Sequence, residues 1–182
     1  MYKVLKISLL FVLFSAFTLF PVWKEYQNYE GRFSIQLPSE EVLEKIIPIK
    51  TAVGDLVEHS FYQVPENAAA ENKFYQVTYV DYPVGTFHRD STELRDLFYQ
   101  ISLESAAARL GGKVIYADNT ETQYIKGKIW RIDYNRGNSM MKTKAFLFGD
   151  RFFTVSVATQ KARSRNLEMD KFLESFRFLS QK

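Results

Sequence analysis

Apolar and polar positions divide the chain into regimes of different period. From Ile7 to Trp23 there is no charged side chain, and Leu, Phe, Val and Ile dominate with Ser8, Ser15 and Thr18 as weakly polar interruptions. A run apolar on every helical face belongs in a large core or in lipid. From Gly31 onward the pattern changes to alternation: Phe33, Ile35 and Leu37 point one way, polar residues the other, and Pro38 ends the pairing. Val42 to Thr51 and Asp55 to Val64 flank the turn at Val53-Gly54-Asp55 and predict a hairpin whose first arm Pro48 pushes to a sheet edge. Phe74 to Tyr82 is rich in aromatic and β-branched residues and stops at Pro83, which predicts another strand.

The period then becomes helical. Asp90-Ser91-Thr92-Glu93 offers a capping oxygen with an acid following, and Leu94, Leu97, Phe98, Ile101, Ser105 and Ala108 recur at helical spacing until Gly111-Gly112, where a left-handed cap meets no Cβ clash. Because this glycine pair closes a helix instead of opening one, it faces the wrong dipole end for phosphate. Strands follow at Lys113 to Ala117, a short one around Thr122 to Ile125, and Lys128 to Tyr134. Turn signals at Asn135-Arg136-Gly137-Asn138 and Gly149-Asp150 set off Met140 to Phe148 and Arg151 to Thr159 as an antiparallel pair. Asn166 caps a last helix whose stripe is Met169, Phe172, Leu173 and Phe176, with Glu168 and Asp170 in its favourable first turn. Strands joined by tight turns pair antiparallel, so the fold class is α+β: a central antiparallel sheet packed by two main helices and preceded by one N-terminal hydrophobic helix.

Lys3 and Lys6 precede the leading apolar run and Lys24 and Glu25 close it, the layout of an export signal. A domain of this size has no room for a core helix so uniformly apolar. The best peptidase site, around Phe14-Ser15-Ala16, is followed by bulky residues, while the 17 uncharged residues reach the short end of the range for a membrane span. Residues 1–23 are therefore a signal peptide or an uncleaved anchor, the anchor favoured, with residues 4–23 contacting the membrane if it is retained. The basic N-terminus stays cytoplasmic, which places residues 24–182 outside the cytoplasm as a single domain, either on the periplasmic side of the inner membrane or secreted.

Charge refines this picture. Without Lys3 and Lys6 the chain keeps 22 basic against 21 acidic residues, too balanced for a nucleic-acid footprint. The densest basic cluster, Lys161, Arg163 and Arg165, reads as a solvated loop before the last helix, with acidic lipid headgroups as the other candidate. Cysteine is absent, which removes disulfides, thiolate metal sites and Cys nucleophiles. Pro65 to Asn72 reads as one surface loop.

The chemistry-bearing residues assemble into no catalytic motif. Only two histidines occur, His59 and His88, with no His or Cys partner at ligand spacing. No nucleophile elbow, phosphate loop or H-E-x-x-H pair is present. Arg131 and Asp133 share a strand face and predict a surface ion pair. The excess is aromatic, 16% of the chain. Tyr62, Tyr75, Tyr79, Tyr82, Trp130 and Tyr134 lie on strands, where they fill a core or line a groove for a peptide, glycan or lipid; Tyr75, Tyr79, Trp130 and Tyr134 are the candidate ligand or partner surface.

The stretches Gly31 to Pro38, Tyr79-Val80-Asp81-Tyr82-Pro83 and Phe172-Leu173-Glu174-Ser175-Phe176-Arg177-Phe178 resemble those of small exported bacterial domains similar to PsbP/Mog1-like proteins, many of unknown function. The resemblance spans roughly Tyr29 to Leu179 and rests on core and turn residues. It implies a central antiparallel sheet between helices and a non-catalytic accessory or binding role; no active-site residue carries over, and the lipid-modified Cys of some relatives is missing. The expected function is a non-enzymatic cell-envelope module without a cofactor or metal, binding an envelope protein or a small ligand. A docking subunit of a membrane complex is the alternative. A hydrolase built from dispersed Ser, His and Asp is a third reading, which requires His59 or His88 to meet a serine and a carboxylate.

Overall fold

A computed structural model describes residues 23–87 and 91–179. The N-terminal hydrophobic helix expected ahead of Trp23, His88 and the capping Asp90 lie outside the described residues. In chain order the elements are β1 (Lys24–Asn28), β2 (Phe33–Leu37), β3 (Leu43–Thr51), β4 (Gly54–Gln63), β5 (Asn72–Asp81), α1 (Thr92–Leu110), β6 (Lys113–Thr122), β7 (Ile125–Tyr134), β8 (Ser139–Phe148), β9 (Arg151–Gln160), α2 (Leu167–Ser175) and β10 (Arg177–Phe178).

Seven strands form one antiparallel sheet in the order β3-β4-β5-β9-β8-β7-β6, and β1-β2-β10 form a smaller one. The α+β class stands, with two helices and a large antiparallel sheet, and the second sheet is added to the expected architecture. It escapes the pattern because β10 is only Arg177–Phe178, held to β2 by the pairing of Phe178 with Phe33. β3, with Pro48, takes the edge.

Alternation along β8 shows how the large sheet serves two cores. Phe146 joins a cluster with Phe33 and Ile35 of β2, Tyr75 and Tyr79 of β5, Phe153 of β9 and Phe172 of α2. Its neighbours Ala145 and Leu147 face the opposite layer, with Trp130, Ile132, Phe152 and the α1 residues Tyr99, Phe98 and Leu103. β8 and β9 are buried on both faces over residues 143–147 and 155–159, and the polar residues Thr143, Lys144, Ser156 and Thr159 are buried there with the apolar ones.

Three local expectations change. Thr122 to Ile125 is no strand: β6 runs unbroken to Thr122 and turns through Gln123 (φ 47°) and Tyr124 (φ 65°) into β7. Positive φ at both central positions is the geometry of a tight hairpin, normally marked by Asn or Gly, so the signal was missing. Ser91 stands at the N-cap of α1 but makes no side-chain capping bond. The Arg131–Asp133 pair is not a surface pair. Asp133 is buried, held by Arg131 at 2.7 Å and by Lys161 at 3.1 Å. At the far end of α1 the expectation holds: Gly111 (φ 55°) and Gly112 donate back to Ala108 O and Ala107 O. Gly112 also lies against β7, where an added Cβ would come within 2.5 Å of Ile132.

Candidate functional site

The site is built on the end of the sandwich where β5 begins and α2 begins beside it. Asn166 caps α2 by accepting from the Met169 amide at 2.7 Å, as the sequence pattern predicts. Its amide group also exchanges two bonds of 3.0 Å with Asn72, which is fully buried at the start of β5. Asn72 in turn donates to the Tyr75 hydroxyl at 2.9 Å, and that hydroxyl donates to Glu168 of α2 at 3.2 Å. Burial first, then the carboxylates of Glu168 and Glu71, push the Tyr75 phenol far above its usual range, so it remains a neutral donor. This polar chain crosses from strand to helix with its partners supplied, which fixes α2 on the sheet.

Above the chain, the segment after β4 folds over as a wall. Arg163 donates to the carbonyls of Ala69 and Ala70 at 2.7 and 3.0 Å, Thr159 to Glu71 O at 2.5 Å, and Lys73 to Ala68 O. Two of the three basic-cluster residues are thus structural, since Lys161 holds Asp133 and Arg163 holds this loop.

The wall and the sheet end enclose a cleft of about 580 Å³. Its apolar lining includes Pro38, Leu43, Val64 and Pro65, and all four of its charged side chains are acidic: Glu41, Glu66, Glu71 and Glu168. Glu41, Glu66 and Glu71 make no ion pair among the described residues. Gln63, only 5% exposed, belongs to the lining. Its amide nitrogen donates to Ser39 Oγ and, at 3.0 Å, to Glu41 O, while its buried oxygen Oε1 has no partner among the described residues. An unpaired buried acceptor costs free energy that an incoming donor would recover.

A wider hollow of about 960 Å³ lies between α1 and the β6–β7 hairpin. Part of its polar lining is engaged. Lys128 pairs with Asp96 at 3.0 Å, Arg95 donates to Leu147 O at 3.2 Å, and the Leu147 amide donates to the Tyr99 hydroxyl at 2.9 Å. The cleft at the β5 end is the better candidate because its lining includes Gln63, whose buried Oε1 has no partner among the described residues.

The aromatic candidates from the sequence divide between the two layers. Tyr75 and Tyr79 are 1% exposed in the layer under α2, and Tyr75 lines the cleft. Trp130 belongs to the layer under α1, and Tyr134 projects to that same side by the strand period. Burial, followed by the charge of Glu30, pushes the Tyr79 hydroxyl up to about 12, although Arg151 lies over its ring at 4.4 Å. His59 stacks on Tyr79 with ring centres 4.6 Å apart and makes no hydrogen bond to serine or carboxylate among the described residues. It supplies no relay for a hydrolase. Gln63 and Asn72 escaped the sequence reading because Gln63 reaches the cleft by its register opposite Tyr75 and Asn72 bonds to Asn166, 94 residues on.

No family model and no curated protein matches the sequence. Among solved structures, the solution structure of cyanobacterial PsbP (CyanoP) from Synechocystis sp. PCC 6803 is similar, with a TM-score of 0.53 at 12% identity, over 86% of this chain and 92% of that one. At that identity the likeness concerns the fold, and it agrees with the resemblance carried by the strand and helix residues: the described domain has a PsbP-like fold.

Proposed function

We propose that the protein is a non-catalytic module of the cell envelope that binds its ligand or partner in the cleft at the β5 end, and that its apolar leader holds it on the outer side of the cytoplasmic membrane. The observation that carries the binding reading is the cleft's construction: a held loop, a polar floor with its bonds made, and acceptors left over at the wall. Leader composition supports the export reading, with Lys3 and Lys6 ahead of a charge-free run ending at Trp23. Among the described residues no helix is long and apolar enough to cross a membrane.

The second reading, a docking subunit of a membrane complex, gains support from the way the leader meets the domain. Trp23 packs edge-on against Tyr75 with ring centres 6.0 Å apart, and Lys171 of α2 lies over its indole at 4.7 Å. A retained anchor would then leave almost no free linker between bilayer and domain, giving the domain a restricted orientation suited to docking on a membrane partner.

Detergent extraction followed by affinity capture and mass spectrometry of the intact chain tests both. The expected result is a membrane-fraction protein of full mass with a bound small molecule or a reproducible partner. A full-length chain recovered free in the cytosol would overturn the export reading. A mass short of the leader would leave export standing and remove the anchor. A stoichiometric membrane partner would favour the docking reading.

A further inference from the structure

We infer that the cleft takes an organic cation: an ammonium or guanidinium group carried on an aliphatic arm. The inference rests on the binding-module reading above and adds the chemistry of the ligand. Charge is the first observation. All four charged side chains of the lining are carboxylates, and none of them has an ion-pair partner among the described residues, so their fields add over a concave surface. The second is independent of charge: Gln63 Oε1 is a buried acceptor without a donor on the same wall. A ligand presenting several N–H groups meets both needs, whereas an anion or a pure acceptor meets neither.

Two further features narrow the class. Among the described residues no three His, Cys, Asp or Glu side chains converge closely enough to hold a metal ion, so the charge is spread for a larger, softer cation. Leu43 and Val64 stay 43% and 55% exposed at the mouth, apolar surface suited to the methylene arm that carries such a head. The domain already shows this chemistry in its own chain, where the guanidinium of Arg163 is held by two carbonyls of the same loop. The shared ligand chemistry fits a free polyamine and a basic side chain of a protein segment alike.

Titration calorimetry on the full-length protein in detergent tests this, with spermidine and a short peptide carrying lysine and arginine as cationic probes, and glutamate and a neutral sugar as controls. Both cations are expected to bind, and to weaken as salt screens the carboxylates. Glu66→Gln and Glu71→Gln, exposed changes that the fold tolerates, should each weaken binding roughly fivefold. Tighter binding of the peptide would assign a basic protein segment, and equal or tighter binding of spermidine a free amine. Failure of both cations to bind, or binding unchanged in both variants, would overturn the inference. The side-chain amide signal of Gln63 by nuclear magnetic resonance separates the two levels of the argument. If glutamate or the sugar shifts it and the cations do not, the cation assignment falls and the cleft remains a binding site; if a captured partner maps elsewhere and no probe moves Gln63, the cleft reading itself falls.

Discussion

Two carboxylates show how position decides the sign of an electrostatic contribution. Glu58 of β4 pairs across the sheet with Ile47 and Val80, and burial raises its pKa above 4.5, with Arg109 opposing but not cancelling the shift. A raised carboxylate binds its proton better folded than unfolded, so stability is greatest below the unfolded value of about 4.5 and falls as pH rises through the folded one. Glu58→Gln should therefore raise the melting temperature at pH 7, and that gain should vanish by about pH 4. Thermal melts of both proteins across this range check it, and an equal shift at both pH values would refute the burial cause. Asp133 has the opposite sign. Burial pushes its pKa up, but hydrogen bonds from Arg131 and Lys161, with their charge, outweigh that and hold the pKa below 3.8. Its contribution is present above the unfolded value and lost as pH falls through the folded one. Asp133→Asn should cost about 2 kcal/mol at neutral pH, a typical worth for hydrogen bonds to a charged group, with the gap from the parent closing in acid. Urea titrations at pH 7 and pH 3 would show the closing.

Hairpins and helix ends show which elements local chemistry writes openly. The β6–β7 turn places Tyr124 at φ 65° with its ring 93% exposed, so the residue bears left-handed strain and buries little in return. Tyr124→Gly should stabilise the domain by about 1 kcal/mol, measured as a shift in urea midpoint at unchanged slope. Gln123 in the same turn is different, because its amide accepts from Phe178 N at 2.6 Å and donates to Phe178 O at 3.3 Å, clamping β10 to the hairpin. Gln123→Ala should cost about 1 to 2 kcal/mol and speed hydrogen exchange at the Phe178 amide first. These two positions explain what a sequence reader meets here. Where a turn advertises itself, as at Val53-Gly54 or Gly149-Asp150, the hairpin is legible, and so are both helices from their stripes and the Gly111 cap. Where a residue answers to a distant partner, as Gln123 does to β10, local propensity misleads. The cleft was opaque for the same reason: Pro65 to Asn72 reads as a plain surface loop until Arg163 and Thr159, almost a hundred residues on, are seen to hold it (sequence separations of 94 and 88). Tyr75 alone among the residues of the cleft was legible beforehand, through its aromatic character and not through its neighbours.

At the scale of the whole molecule the question is whether two cores on one sheet unfold as one. β8 and β9 contribute side chains to both layers on neighbouring residues, Phe146 and Phe153 to one and Ala145, Leu147 and Phe152 to the other, so neither layer can lose its packing without exposing the back of the other. The layer under α2 is centred on Phe176, whose ring lies parallel to that of Phe146 with centres 5.8 Å apart and within 5.9 Å of Phe33, 5.7 Å of Phe153 and 5.1 Å of Phe178. This residue joins the small sheet to the large one. Phe176→Ala should cost about 3 to 5 kcal/mol, since a fully buried aromatic leaves a cavity its rigid neighbours cannot refill. The two tryptophans report the layers separately, Trp23 packed against the α2 side and Trp130 within the α1 side. Trp23→Phe and Trp130→Phe each leave one reporter. If the shared strands bind the layers into one cooperative unit, then in urea the two reporters unfold together within each protein, and Phe176→Ala lowers the Trp130 transition as far as it lowers the Trp23 transition. A Phe176→Ala protein in which Trp23 is released early while Trp130 keeps its midpoint would mean that the small sheet and α2 form a separable lid, and the sheet would then be a platform for two weakly coupled layers.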